Sequence, residues 1–222
     1  MRGAVGIDGA PGGWIAAHLV DDGLRWQWAA IDGIADLLPA EAAIAIDMPI
    51  GLLDVGLRDC DALARSELPG AGARVFTTPP RPVLELGLTT PNADAQALSR
   101  RLTGQGVSRQ ALGLSRRILV LDDALAAHPE LDAVEAHPEL AFAAMTGRVL
   151  PSKHTAAGVD DRVAALRQWR TDAAELLAHR PPRTPLIDAM DALAALWTAV
   201  RWRDGRARTL PPGAARPPFV AV

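Results

Sequence analysis

Five carboxylates stand where predicted strands end or where the last predicted helix begins: Asp8, Asp47, Glu135, Asp188 and Asp191. The carboxyl ends of neighbouring parallel strands meet at one edge of a sheet, which is where open α/β sheets bind ligands. Carboxylate oxygens suit Mg²⁺ or Mn²⁺, and the sequence has no cluster of Cys and His for zinc. Two such ions about 4 Å apart can activate water and stabilise a leaving oxygen in phosphodiester hydrolysis. We therefore expect these carboxylates to converge on one divalent-metal site.

The residues of the last predicted helix indicate that a cation binds beside it. Asp188 and Asp191 are three residues apart and share one helix face. The same face carries small residues, namely Ala192, Ala195 and Ala199. The opposite face carries large apolar residues, namely Leu186, Met190, Leu193, Trp197 and Val200. A helix that is apolar on both sides is buried, and unpaired charges are costly in a buried setting.

Each acid also has a purely structural interpretation. Asp8 can cap the Gly-rich turn after it, and Asp47 can cap the loop that follows its strand. Glu135 can pair with an arginine, and Asp188 and Asp191 can be ordinary partners of the positive helix N-terminus. The joint pattern favours the metal site, because four separate segments place acids at compatible ends.

Other candidates for the site are a histidine and several cations. His137, two residues after Glu135, could be a general base or support a metal ligand; the alternative is that it fixes the turn before the next helix. Lys153 is the only lysine in the sequence. We assign it to the reaction site, where it could hold a substrate phosphate together with Arg162.

Two further arginines, Arg58 and Arg65, share one face of a predicted helix with Asp61. They are candidates for binding a substrate phosphate. The alternative is a solvated helix face with an internal Arg–Asp pair.

The predicted elements place the acids on one mixed α/β sheet. Alternating and apolar runs predict five strands, at residues 3–8, 14–20, 24–30, 43–47 and 131–135. Helical patterns predict helices at 34–38, 57–68, 93–102, 108–126, 138–146 and 159–179, and a last helix with Thr184 as N-cap, Pro185 at its first position and Gly205 as its stop. The turn at 21–23 predicts an antiparallel meander of the first three strands, with strand 1 beside strand 4.

That order is typical of an RNase H-like five-stranded mixed sheet flanked by helices. Residues 50–130 are then a helical insertion within a single domain over residues 1–222. The Pro-rich tail after Leu210 is expected to pack as an extended segment.

Composition narrows the function. A net charge of -3 and a pI near 5.9 argue against a protein that coats nucleic acid electrostatically, but leave room for a local basic groove. The single cysteine, Cys60, rules out an internal disulfide. With no signal peptide and no apolar run long enough to span a membrane, we expect a soluble cytoplasmic protein with no membrane partner. A homodimer is left open.

Several motifs resemble a known family: residues 5–14 (VGIDGAPGGW), 46–52 (IDMPIGL), 58–65 (RDCDALAR), 134–141 (VEAHPELA), 153–158 (KHTAAG) and 188–195 (DAMDALAA). Together they resemble domain-of-unknown-function family 429, described as predicted RNase H-like nucleases. The layout of Asp8, Asp47 or Glu135, and Asp188 with Asp191 is also similar to the Holliday-junction resolvase branch of that fold. The long insertion at 50–130 departs from that branch.

The resemblance implies a metal-dependent nuclease that acts on DNA or RNA with Mg²⁺ or Mn²⁺. One alternative is a non-catalytic binding module that a metal stabilises. Another is a hydrolase or kinase-like enzyme that acts on a small phosphorylated metabolite. A sugar-kinase or actin-like ATPase ranks low, because such enzymes usually need two domains around a nucleotide cleft.

Overall fold

A computed structural model describes residues 3–21, 23–90 and 92–222. Seven strands form one sheet: β1 (Gly3–Ala10), β2 (Gly13–Val20), β3 (Gly23–Ala30), β4 (Ala42–Ile46), β5 (Asp132–Ala136), β6 (Thr209–Leu210) and β7 (Val220–Ala221). Their order is β3-β2-β1-β4-β5-β7-β6. Strands β1, β2 and β3 are antiparallel to one another, β1, β4, β5 and β7 run parallel, and β6 is antiparallel to β7. The sheet is therefore mixed, as predicted.

The five predicted strands lie side by side in the expected order, with β1 beside β4. The predicted number of strands was wrong, because the sheet contains two more. The Pro-rich tail was expected only to pack as an extended segment, but it also pairs, with Val220 opposite Glu135 on β5. These strands of two residues each are too short to produce an alternating pattern in the sequence. Of the predicted turn at 21–23, Asp22 lies outside the described residues.

The helices are α1 (Asp59–Ser66), α2 (Arg81–Thr89), α3 (Asn92–Thr103), α4 (Arg109–Gly113), α5 (Ser115–Ala127), α6 (Pro138–Thr146), α7 (Ala156–Trp169), α8 (Ala173–Ala178) and α9 (Leu186–Arg203). Residues Ile31–Leu37 and Gly72–Arg74 form 3-10 turns, the first of them at the predicted helix 34–38. Helix α2 was not predicted. Two predicted helices are each divided, 108–126 at Leu114 and 159–179 after Trp169.

Alternating side chains of the central strands build a separate core on each face of the sheet. Ala4 and Ala45 point to the face covered by α6, α7 and α9. Val5, Ile7 and Ile44 point to the other face, where α2 and α5 cover them. Helices therefore flank both faces, as predicted, and helices of the insertion cover one of them.

Helix α9 packs directly on β1. A Cβ atom at Gly6 would lie 2.0 Å from the Leu196 backbone nitrogen and 2.3 Å from the Ala192 carbonyl oxygen. Ala192, Ala195 and Ala199 are all fully buried, so the predicted stripe of small residues lies in the interior. This close approach brings the start of α9 to the carboxyl end of β1.

The predicted start of α9 was wrong by one residue. Pro185, and not Thr184, is the N-cap, and its side chain makes no capping hydrogen bond. Pro185 has a ψ of 145°, which is outside the helical range, so the helix begins one residue later. The helix ends at Arg203, just before the predicted stop at Gly205. Among the described residues, no helix combines the length and apolar character needed to cross a membrane.

Candidate metal centre

Two neighbouring parallel strands bring the first two acids together. Ile7 on β1 is paired with Ile46 on β4, so the next residues, Asp8 and Asp47, lie side by side. The Asp47 amide also donates a hydrogen bond of 2.8 Å to the Ile7 carbonyl. Asp8 lies within β1, two residues before its end, and Asp47 follows β4 directly. Both acids thus emerge where regular pairing between the two strands ends.

Helix α9 contributes the third acid, Asp191. One carboxylate oxygen from each of Asp8, Asp47 and Asp191 lies within 4.8 Å of the other two. We call this group the acidic trio. Asp8 is 8% exposed and Asp191 only 1% exposed, while Asp47 is half-buried. Within the part of the chain that the structure describes, Asp191 Oδ1 is buried without a hydrogen-bond partner.

Lys153 forms an ion pair with one member of this group. Its ammonium lies 2.5 Å from Asp191 Oδ2, and its side chain is 32% exposed. The loop that carries Lys153 returns tightly to α7, where Thr155 caps the helix by accepting from the Gly158 amide at 3.1 Å. A Cβ atom at Gly158 would lie 2.0 Å from the Ser152 carbonyl oxygen, so only glycine fits there. The loop thereby holds Lys153 against the acidic trio.

Burial and mutual repulsion change the pKa values of the trio. Burial, followed by the charges of Asp47 and Asp191, raises the pKa of Asp8 well above its usual range. Burial raises the pKa of Asp47 to about 7 and that of Asp191 to about 6, although Lys153 opposes both shifts. Burial alone would lower the pKa of Lys153, but the nearby carboxylates raise it. One ammonium therefore does not neutralise the trio, and near neutral pH the trio retains protons unless another cation is present.

The donor set fits a divalent cation. Three carboxylates supply the hard oxygen ligands that Mg²⁺ and Mn²⁺ prefer. A buried carboxylate oxygen without a partner, as at Asp191, is unfavourable unless some group satisfies it. A bound ion would both satisfy this oxygen and offset the repulsion among the three acids.

Asp188 was predicted to be a ligand but is not a member of the trio. It lies one helical turn before Asp191 on α9 and is half-buried. Burial raises its pKa, while Lys153 and Arg117 oppose this shift. Asp188 is therefore beside the acidic trio and contributes to its negative charge.

Glu135 was also predicted to be a metal ligand, and its contacts differ from that prediction. Arg58 binds both carboxylate oxygens, with Nη1 at 2.8 Å from Oε2 and Nη2 at 2.8 Å from Oε1. The Ile50 amide donates a further bond of 2.8 Å to Oε2. Burial raises the pKa of Glu135, and Arg58 opposes the shift. The carboxylate is thus occupied by an arginine, which is the structural alternative considered from the sequence.

The three arginines predicted to bind substrate make internal contacts instead. Arg58 is buried and also contacts Asp61, at 2.5 Å. Arg65 donates to the Val75 carbonyl and to the Thr77 hydroxyl. These two arginines hold together the first part of the insertion.

Arg162 is fully buried, with 0% of its surface exposed. It donates to Glu139 at 2.6 Å and to the carbonyls of Gly158 and Pro151. Through these contacts, Arg162 connects α7 and the Lys153 loop to α6. None of the three arginines is among the described residues that line the cavity beside the trio.

That cavity has a volume of about 370 Å³. Its described lining includes Asp8, Asp47, Glu135 and Lys153, together with residues of the insertion. His137 also lines it, with its Nδ1 atom buried and lacking a hydrogen-bond partner within the described chain. Burial lowers the pKa of His137 despite the nearby carboxylates, which favours the neutral imidazole.

Sequence reasoning missed two lining residues, Arg74 and Arg117. Arg117 on α5 donates to the Ala10 carbonyl at 2.8 Å, and its guanidinium lies 5.5 Å from the centre of the Trp14 ring. Arg74 pairs with Glu139 at 2.6 Å and donates to the Leu150 carbonyl. No local motif marks either arginine, because each reaches the site only through the folding of the insertion.

Comparison with known proteins places the chain in a family without giving it a function. No curated protein and no solved structure matches it. One family model, described as protein of unknown function (DUF429), matches residues 6–216. The match includes the whole acidic trio, Lys153 and the insertion. The chain belongs to the DUF429 family.

Proposed function

We propose that the protein is a divalent-metal-dependent hydrolase of phosphodiester bonds, with a nucleic acid as its substrate class. One observation carries the proposal: three carboxylates from β1, the end of β4 and α9 meet within 4.8 Å, and one buried oxygen of Asp191 has no partner among the described residues. This arrangement is costly as it stands and becomes favourable when a cation binds.

We also propose that the fold is RNase H-like. The order β3-β2-β1-β4-β5, with the first three strands antiparallel and the next two parallel to β1, supports this assignment. The acids lie at the carboxyl end of the parallel strands, where α/β sheets commonly bind ligands. Strands β7 and β6 extend this arrangement beyond β5.

Each residue of the site has a distinct task in this proposal. Asp8, Asp47 and Asp191 would hold the metal, which would supply a Lewis acid and an activated water. Lys153 orients Asp191 and offsets negative charge on the phosphate that enters beside it. His137, as a neutral imidazole on the cavity wall, is placed to accept a proton and, once protonated, to pass it to the leaving oxygen.

Removal of one ligand tests the proposal. Purified protein is expected to hydrolyse a nucleic acid or a small diester with Mn²⁺ or Mg²⁺ but not with EDTA. Asp8→Asn should abolish turnover and the increase in thermal midpoint that Mn²⁺ produces. Asp54→Asn, which changes an exposed aspartate outside the cavity, is the matched control and should retain both. Hydrolysis that persists in Asp8→Asn would refute the assignment.

The ion pair between Lys153 and Asp191 favours a second candidate function. A lysine that already offsets part of the charge is compatible with a binding module in which the trio serves only metal-dependent stability. That candidate predicts a higher thermal midpoint with Mn²⁺ and no turnover of any phosphodiester.

A further inference from the structure

The cavity beside the acidic trio has two walls of different origin. One wall consists of the strand ends, α6 and the Lys153 loop. The other is the helical insertion, whose lining residues include Arg74, Gln110 and Arg117. The insertion therefore stands over the carboxylates and leaves a cavity of about 370 Å³ between itself and the sheet.

One buried arginine and two half-buried arginines fix this wall in place at three points. Arg58 joins α1 to Glu135 on β5 through two bonds of 2.8 Å. Arg74 joins the insertion to Glu139 on α6, and Arg117 joins α5 to the carbonyl of Ala10 on β1. Opening the cavity would break buried or half-buried charged contacts, which is strongly unfavourable. The wall is thus part of the site and does not behave as a loose flap.

Two carboxylates of the trio, Asp8 and Asp47, line the cavity. Asp8 is 8% exposed, whereas Gln110 and His154 are exposed residues of the lining and mark its mouth. A phosphate has to pass this mouth before it can approach the trio. A duplex is too wide to enter a cavity of about 370 Å³, so only a free ester or an unpaired strand end can carry a phosphate into it.

The volume and charge of the cavity indicate what fits inside. Sites for small molecules and single cofactors have volumes of about 300–1,000 Å³, so 370 Å³ is at the small end of that range. Three cationic side chains, Arg74, Arg117 and Lys153, also line the cavity. Arg74 is paired with Glu139 and Lys153 with Asp191, so an anionic group would bind there together with the metal cation. The cavity therefore has room for about one nucleotide-sized phosphate ester.

We infer that the substrate is a single nucleotide-sized phosphate ester, either free in solution or at the unpaired end of a strand, and not an internal bond of a duplex or a four-way junction. This inference rests on the proposed function, because it assigns a substrate class to the same acidic trio.

A panel of substrates tests the inference with the full chain and Mn²⁺. The panel contains bis(4-nitrophenyl) phosphate, a linear single strand, the same strand circularised, a blunt duplex and a four-way junction. The small diester, the linear strand, or both are expected to be hydrolysed. The circle, the duplex and the junction should react at least about 100-fold more slowly, because none of them offers a free unpaired end that can place its phosphate against the carboxylates. A circle, junction or duplex cleaved as fast as the best of the small and linear substrates overturns the inference while leaving the proposed function intact.

A variant at the mouth gives an independent readout. Gln110→Trp should raise KM for the small diester by about tenfold, because the ring narrows the entrance, while the affinity for Mn²⁺ stays unchanged. Arg109→Trp adds the same side chain at the neighbouring exposed position, outside the lining, and should leave KM unchanged. An unaltered KM in Gln110→Trp contradicts entry through this mouth. Absence of metal-dependent turnover on every substrate defeats the proposed function, and with it the inference.

Discussion

Gly6 on β1 lies directly beneath the backbone of α9, and this contact determines how close Asp191 comes to Asp8. A Cβ atom at Gly6 would lie 2.0 Å from the Leu196 nitrogen and 2.3 Å from the Ala192 oxygen. Both obstructing atoms belong to the helix backbone, so no side chain can rotate away. Gly6→Ala should therefore push α9 off the sheet.

The size of the effect follows from these distances. Ordinary van der Waals contact begins near 3.4 Å, so α9 has to move by roughly 1.4 Å. Overpacking by single methyl groups costs about 1–3 kcal/mol, and a clash with backbone belongs at or above the upper end. The reduced entropy of the unfolded chain returns about 0.4–1 kcal/mol. We expect a net loss of about 2–3 kcal/mol in the free energy of unfolding, together with weaker Mn²⁺ binding, because Asp191 precedes Ala192 on the displaced helix.

Urea unfolding followed by circular dichroism measures the stability, and titration calorimetry measures the Mn²⁺ affinity. The matched control is Gly113→Ala at the end of α4, where a Cβ atom would meet nothing within 4 Å. That change should be neutral or stabilising by up to about 1 kcal/mol. Surface substitutions usually change the free energy of unfolding by no more than about 0.5 kcal/mol. If the free energy of unfolding of Gly6→Ala differs from that of the wild type by no more than this amount, the packing argument fails.

Two further predictions concern charge. Burial raises the pKa of Asp47 from 3.8 to about 7, so protonation of Asp47 favours the folded state, and this stabilisation is lost as the pH rises towards and through 7. In EDTA, the wild type should lose more thermal stability than Asp47→Asn between about pH 6 and pH 8, and equal losses would contradict the shift. Arg58→Met leaves Glu135 and Asp61 buried without their cation and should cost about 3–5 kcal/mol in urea unfolding. Adding Glu135→Gln to Arg58→Met should recover part of that loss; a double variant as unstable as the single one would argue against the pair.

Most of the acidic trio could be predicted from the sequence. The apolar run at 43–46 and the Gly-rich turn after Asp8 predict two strands that end near acids, and their parallel pairing follows from the connection between them. Asp191 was identified from a buried alanine stripe, which is a pattern local to one helix. Such features depend on neighbouring residues in the chain, and the structure confirms the mixed sheet, the pairing of β1 with β4 and the burial of the stripe.

The environment of Glu135 could not be predicted from the sequence as well as the trio could. Whether its carboxylate meets a metal or an arginine depends on where the insertion carries Arg58, which lies 77 positions earlier in the chain. Arg117 reaches Ala10 across 107 positions in the same way. Neither separation leaves a periodic signal, because the contact depends on how several helices pack against one another. The break at Leu114, which divides α4 from α5, was likewise not predicted from the sequence.

The packing of α9 on β1 has a consequence for biosynthesis. Strand β1 leaves the ribosome among the first residues described, whereas α9 is among the last. At about 5–20 residues per second, the two are separated by on the order of ten seconds or more. During that interval the face of β1 around Gly6, later covered by α9, has no permanent partner, and exposed strand faces of this kind are prone to aggregation. Translation speed and the availability of chaperones should therefore govern the yield of this protein, and a chain that stops before α9 would lack both the cover of β1 and the Asp191 carboxylate.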